Sequence, residues 1–306
     1  MQKVFGHISP DTDTICSAIV WARYCTEHKS EPATAYRLGE LNSETKFVLD
    51  HFAVETPELL ADVTAGDTVA IVDTNNPQEL PPSINEARIT TIIDHHKLVG
   101  GLTTDEPISI TIRPVACTTT IIYDLMNIAA TELPRHISGL LLSAILSDTL
   151  GFRSPTTTEY DQAVAEELAD VLDLDITDFT EQLLKAKSDL SGFSDQELVT
   201  LDSKKYQVGE HNLRVSVLET TDSAAALSRS AGLLSAIDTC VAEEPDVDAV
   251  LFFIVDIIKE EATVLTYNEL TSKIIEASFN VTPQGGQATL PGILSRKKQI
   301  LPVLKV

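Results

Sequence analysis

The chain has 306 residues, 43% of them hydrophobic and 22% charged, a size and balance that favour two folded domains. Its formal net charge of −24 argues against non-specific binding to nucleic acid and against docking on anionic lipid, and no apolar run reaches the ~18 residues that a bilayer span needs. The four cysteines, Cys16, Cys25, Cys117 and Cys240, show no CxxC spacing, so neither a zinc–thiolate site nor a disulfide framework is expected, and a cytoplasmic free-thiol protein is the simple reading.

In chain order, Lys3-Val4-Phe5 predicts a strand that starts too early to leave room for a leader peptide. Turn chemistry around Pro10-Asp11 follows, then an amphipathic helix from Ile15 to Glu27. Ala33 to Leu38, Thr68 to Val72, Ile89 to Ile93 and Ile108 to Ile112 read as further strands. Helical patterns cover Thr118 to Ile128, Ile137 to Leu146, and about 159–172 and 176–187. Apolar strands alternating with helices predict an α/β fold: a doubly wound, mainly parallel sheet with helices on both faces. Ser188 to Ser194 is small and polar and reads as a linker, giving domains at 1–187 and 195–306. Beyond it, Tyr206–Val208 and Leu213–Leu218 predict strands. Ala249–Ile258 and Thr263–Tyr267, separated by Lys259-Glu260-Glu261, predict a hairpin in a smaller α+β domain with a mixed sheet.

Ligands of doubly wound sheets gather beyond the carboxyl ends of the strands. His7 follows the first predicted strand, Asp73 ends the third, and Asp94-His95-His96 follows the fourth. Asp148 ends a helical run that can point back to the same crevice. Gly6-His7-Ile8-Ser9-Pro10-Asp11-Thr12-Asp13 places one imidazole and two carboxylates within seven residues, and the Asp11/Asp13 spacing suits two neighbouring ions. Taken singly, a His at a strand end is ordinarily scaffolding and an Asp before a helix an N-cap. The whole set is better explained as a metal centre, because so many carboxylates in one crevice repel unless cations neutralise them. Nitrogen and carboxylate donors without thiolate suit Mn²⁺, Co²⁺ or Mg²⁺ better than structural zinc.

These residues carry a resemblance. Gly6-His7-x-x-Pro10-Asp11-Thr12-Asp13, Val72-Asp73, Ile93-Asp94-His95-His96, Leu146-Ser147-Asp148-Thr149 and Ser295-Arg296-Lys297-Lys298-Gln299, nearly from end to end, resemble the family II inorganic pyrophosphatases of the DHH phosphoesterase superfamily. Weaker echoes are Arg37-Leu38-Gly39, Pro114-Val115-x-Cys117-Thr118 and Leu201-Asp202-x-Lys204. The resemblance implies hydrolysis of pyrophosphate to two orthophosphates by a metal-bridging hydroxide, at a dinuclear site in the cleft between two domains. It implies one ion on His7, Asp11 and Asp73 and another on Asp13, Asp73, His95 and Asp148, with Asp73 bridging. His96 is implied to face the substrate, with Asp94 behind the imidazoles and Lys204, Arg296 and Lys297 gripping phosphate. Two divalent ions are implied, Mn²⁺ foremost with Co²⁺ or Mg²⁺ as alternatives, and further Mg²⁺ or Mn²⁺ arriving with substrate. A homodimer through the N-terminal domain is implied too. Ser9 and Thr74 depart from the family's common Asn and His. The rival readings are an exopolyphosphatase or oligonucleotide-degrading member of the superfamily, and a metal-binding protein without turnover. Thr282-Pro283-Gln284-Gly285-Gly286-Gln287 lacks the His of the nucleic-acid-directed members, which weighs against that branch.

Overall fold

The computed structural model describes residues 1–190 and 192–306; Ser191, within the expected linker, lies outside the described residues. The chain falls into two compact units, Met1–Leu183 and Leu184–Val306.

The first unit is built on six strands: β1 (Gln2–Phe5), β2 (Ala33–Arg37), β3 (Glu58–Leu59), β4 (Thr68–Val72), β5 (Arg88–Asp94) and β6 (Ser109–Ile112). All pair in parallel, in the order β3-β2-β1-β4-β5-β6. The direction of strand addition reverses between β1 and β4. Such a switch point opens a crevice at the carboxyl end of the sheet.

Period-two alternation sorts the strand side chains into two cores. Val4, Ala70, Val72 and Ile93 join one, while Phe5, Val69, Ile71, Ile89 and Ile92 join the other. Against the first core pack α1 (Thr12–His28), α2 (Ser43–His51), α3 (Thr118–Met126), α4 (Arg135–Asp148), α5 (Glu159–Leu172) and α6 (Ile176–Lys187). Helices were expected on both faces. Among the described residues the second face is instead covered by loop side chains such as Leu38, Leu60, Val63, Leu80, Ile84, Leu102 and Ile108, with two 3₁₀ turns, Pro77–Glu79 and Ile84–Glu86. The physical reason lies in the connections: residues 73–87 and 95–108 carry prolines and turn residues and no helical apolar period.

The second unit holds β7 (Ser203–Val208), β8 (His211–Thr220), β9 (Ala249–Asp256), β10 (Glu261–Leu265) and β11 (Gln287–Pro291) in the order β11-β10-β9-β8-β7. Only β8 and β9 run parallel, so the sheet is mixed as expected. Strand β9 is buried at every residue. One side of the sheet is packed by α7 (Asp195–Leu201) and α9 (Ser230–Glu243) through Leu198, Val199, Leu233 and Ile237. Helices α8 (Ser223–Ser228) and α10 (Glu269–Phe279) complete the unit. Among the described residues, no helix is long and apolar enough to cross a membrane.

Candidate metal centre

The carboxyl ends of the parallel strands gather the predicted donors. His7 lies two residues past β1 and Asp73 one past β4, so they flank the switch point. Asp94 is the last residue of β5, and His95 and His96 follow it. Asp148 closes α4. Asp11 and Asp13 frame the start of α1.

Asp73 is the centre of this arrangement. Its Oδ2 lies 3.4 Å from His7 Nε2, and its Oδ1 lies 3.4 Å from His95 Nε2 and 3.8 Å from His96 Nδ1. The two oxygens thus face different imidazoles. Each also accepts a hydroxyl, Thr14 Oγ1 on Oδ2 at 2.6 Å and Thr118 Oγ1 on Oδ1 at 3.1 Å. Asp73 holds φ +58°, a left-handed backbone rare for a residue with a Cβ. Strain of this kind persists where surrounding structure fixes it, commonly at a working site.

His7 Nε2 also lies 3.6 Å from Asp11 Oδ2, and His95 Nε2 lies 3.8 Å from Asp148 Oδ2. Three groups can each close on an ion, with donor atoms within 4.8 Å of one another: His7/Asp11/Asp73, Asp73/His95/His96, and Asp13/Cys117/Asp148. Asp13 and Cys117 are buried, and Cys117 was not anticipated as a neighbour of the donors. Its signal was available in the Pro114-Val115-x-Cys117-Thr118 echo, which placed it just before a helix.

Several donors double as structural acceptors. Asp11 does cap α1, accepting Thr14 N–H at 2.9 Å, so the N-cap reading holds for it alongside any role toward a cation. Asp13 accepts Thr118 N–H at 2.6 Å and Thr119 N–H at 3.0 Å at the start of α3, whose helix end favours negative charge. Asp94 is fully buried and receives Asn75 Nδ2–H, while its Oδ1 meets His96 Nδ1 at 2.7 Å. His95 Nδ1 is 3.2 Å from the Val115 carbonyl, an outer contact that turns Nε2 toward the carboxylates.

Electrostatics show what the cluster calls for. Burial pushes the Asp13 carboxyl up to about 7, and the Asp73 carboxylate adds to the rise. Burial, then Asp73, raises Asp94 too. Burial would also raise Asp73, but hydrogen bonding to His7 and His95 outweighs it and holds that carboxyl well below the ordinary range. Four carboxylates and three imidazoles converge where like charge is costly. The donor set therefore fits hard or borderline divalent cations, with His7, Asp11, Asp13, Asp73, His95 and Asp148 as the residues able to hold them.

Neither departure supplies a donor to these groups. Thr74 is buried and gives its hydroxyl to Glu79 Oε2 at 2.8 Å, and Ser9 is partly buried in the turn before α1.

The predicted phosphate-gripping residues all lie in the second unit. Lys204 is buried in β7. Arg296 opens a π turn, Arg296–Ile300, capped by Ser295. Its Nη2 pairs with Asp202 Oδ1 at 2.7 Å, and Nη1 donates to the Asp202 carbonyl at 3.1 Å. Gln299 Oε1 accepts Leu294 and Ser295 N–H, which closes the turn carrying Lys297. Lys205 pairs with Glu244 and Asp246 on the surface.

Known proteins resemble the chain along its whole length. The DHH family N-terminal domain matches residues 3–145, and the DHHA2 domain matches residues 181–306. A probable manganese-dependent inorganic pyrophosphatase of Bacillus mycoides is 40% identical over 99% of this chain and 98% of its own. One from Exiguobacterium is 39% identical over 98% and 96%. The crystal structure of a putative family II inorganic pyrophosphatase of Methanococcus jannaschii superposes with TM-score 0.87 at 34% identity, covering 99% of this chain and 98% of that one. An exopolyphosphatase-related protein of Bacteroides fragilis shares the fold alone, at TM-score 0.52 and 13% identity. With both domain matches in order and relatives alike from end to end, the chain belongs to the family II, manganese-dependent inorganic pyrophosphatases of the DHH family.

Proposed function

We propose that this chain hydrolyses inorganic pyrophosphate to two orthophosphates at a dinuclear divalent-metal centre, with His7, Asp11 and Asp73 holding one ion and Asp13, Asp73, His95 and Asp148 the other. The observation that carries this reading is Asp73, whose two oxygens face His7 and His95 separately. A carboxylate so placed suits two cations side by side. Such ions, held by these residues, would supply positive charge for the phosphate oxygens and would lower the pKa of a bound water.

The chain's own residues do the rest. With Nδ1 of His96 donating to Asp94, its Nε2 is the nitrogen that meets substrate and passes a proton to the leaving oxygen. Lys204, Arg296 and Lys297 neutralise charge on the departing phosphate; Arg296 offers a planar fork, and the lysines offer movable point charges. Further Mg²⁺ or Mn²⁺ enters with the substrate. The same reading includes a linker at 188–194 between the two domains, a homodimer through the N-terminal unit and a cytoplasmic setting. The four free, buried cysteines fit a reducing compartment, and sedimentation of the full chain measures the dimer.

The deciding experiment is phosphate release by metal-stripped protein after adding Mn²⁺, Co²⁺ or Mg²⁺, with pyrophosphate, tripolyphosphate and a short oligonucleotide compared. Restoration of pyrophosphate turnover, foremost by Mn²⁺, is expected. Preference for tripolyphosphate or the oligonucleotide assigns the chain to another phosphoesterase activity, and metal uptake without turnover makes it a binding protein.

A further inference from the structure

One fully buried carboxylate near the centre belongs to none of the groups above. Glu44 lies in the first turn of α2, which Asn42 caps by accepting Thr45 N–H at 2.7 Å. It is 1% exposed. Its Oε2 accepts Thr12 Oγ1–H at 2.9 Å and Ser147 Oγ–H at 2.6 Å. Thr12 stands between Asp11 and Asp13 at the start of α1. Ser147 immediately precedes Asp148 at the end of α4. One oxygen atom therefore joins the two helix ends that present three of the candidate ligands, though these lie more than one hundred residues apart in sequence.

The chain before α2 packs on the same turn. A Cβ at Gly39 would stand 2.3 Å from the Ile8 carbonyl oxygen and 2.8 Å from Pro10 Cδ, so only glycine allows this approach. Thr45 Oγ1 adds a contact to Thr12 Oγ1 at 3.1 Å. The stretch from Gly39 to Thr45 thus grips the Ile8–Thr12 turn at both of its ends.

Burying a carboxylate costs several kcal/mol unless hydrogen bonds and nearby charge compensate. Joining two helices does not require that cost, since α1 and α4 already share one apolar core, to which Ile15 of the first and Leu141 and Ile145 of the second belong. We infer that Glu44 is a positioning residue of the metal centre, whose Oε2 fixes the separation of the Asp11–Asp13 turn from Asp148 through Thr12 and Ser147. The inference rests on the proposed metal centre, and it concerns outer hydrogen bonds that orient ligands, whose loss characteristically costs about 10–100-fold in metal affinity or activity.

The test is Mn²⁺ binding to metal-stripped protein by titration calorimetry, with melting of the metal-free form as a parallel measurement. Glu44→Ala removes the one oxygen that accepts both hydroxyls. It is expected to weaken Mn²⁺ binding by about 10–100-fold and to lower kcat more than it raises KM for pyrophosphate. Glu44→Gln keeps an acceptor oxygen for both hydroxyls and is expected to restore most of that affinity. Ser147→Ala removes one of the two links without emptying the carboxylate site, so it carries the test if Glu44→Ala does not fold. A purely structural carboxylate would lower the melting temperature of the metal-free variants and leave their Mn²⁺ affinity at the wild-type value, and that result overturns the inference. Wild-type protein that takes up no Mn²⁺ overturns the metal-centre reading and this inference together. Wild-type protein that binds two ions, matched in affinity by Glu44→Ala and Ser147→Ala, overturns the inference alone.

Discussion

Replacing Asp73 by Asn tests the metal centre with little disturbance of the fold. The two side chains have the same shape, and Asn tolerates the positive φ of this position better than most residues. What changes is one negative charge and one acceptor. In the wild type each oxygen faces an imidazole at 3.4 Å and accepts one threonine hydroxyl. If each side loses one charge-assisted contact of about 1.5–3 kcal/mol, the joint loss is about 3–6 kcal/mol, or roughly 10²–10⁴-fold in divalent-ion affinity. Mn²⁺ titration of the metal-stripped variant reads this directly. Pyrophosphate turnover is expected to fall at least as far, since the residue serves both ions. Far-UV circular dichroism checks that the variant is folded. A folded Asp73→Asn protein that binds two Mn²⁺ and turns over near the wild-type rate would refute the bridging role.

Three other outcomes follow from the same geometry. Arg296→Ala should raise KM for pyrophosphate about 10–100-fold, the equivalent of one charged contact of about 1.5–3 kcal/mol, with a smaller fall in kcat in steady-state assays. Chelating the bound ions should lower the melting temperature. At a free ion concentration near 100 times the dissociation constant, each occupied site contributes about 2.7 kcal/mol to stability, and calorimetry with and without EDTA measures the difference. Asp256, in the second unit, gives a pH signature of its own. Burial alone would raise its carboxyl, but hydrogen bonds from Ser223 and from the Lys259 backbone and ammonium group lower it below the ordinary value. A lowered folded pKa contributes stability above the unfolded value near 3.9, and this is lost as pH falls through the folded value. The gap in unfolding free energy between wild type and Asp256→Asn should therefore be full above about pH 5 and close as acid is added, as urea titrations at a series of pH values would show.

The legible part of the molecule is the part whose chemistry is local. Strands β1, β4 and β5 announce themselves as apolar runs, and each ends one or two residues before a donor: His7, Asp73 and His95. Helices α5 and α6 follow from their own apolar period. The strand order was not legible, because parallel pairing leaves no turn between partners, and so His7 and Asp73 could not be read as flanking the switch point. Helix α2 also escaped. It is a nine-residue element, and its key residue, Glu44, is a charged side chain that ordinarily marks a solvated face. The hydroxyls of Thr14 and Thr118 on Asp73 are tertiary facts, brought from 59 and 45 residues away. Arg296 was legible as a cation, but its Asp202 partner arrives from the far end of the sheet unit.

The sheet of the first unit contains no hairpin: every one of its pairings is parallel and each must wait for a crossover to be laid down. Sheets of this kind form late and slowly, because the loop entropy is spent before the contacts are gained. The donors are distributed accordingly, from His7 through Asp73 and His95 to Asp148. On a nascent chain only Asp11 and Asp13 stand near His7; the rest exist as a set only after α4 has been made and docked. On the proposed ligand set, tight capture of a cation would therefore report the completion of the first unit. A metal ion added during refolding should act on the last kinetic phase and leave the earlier collapse unaltered.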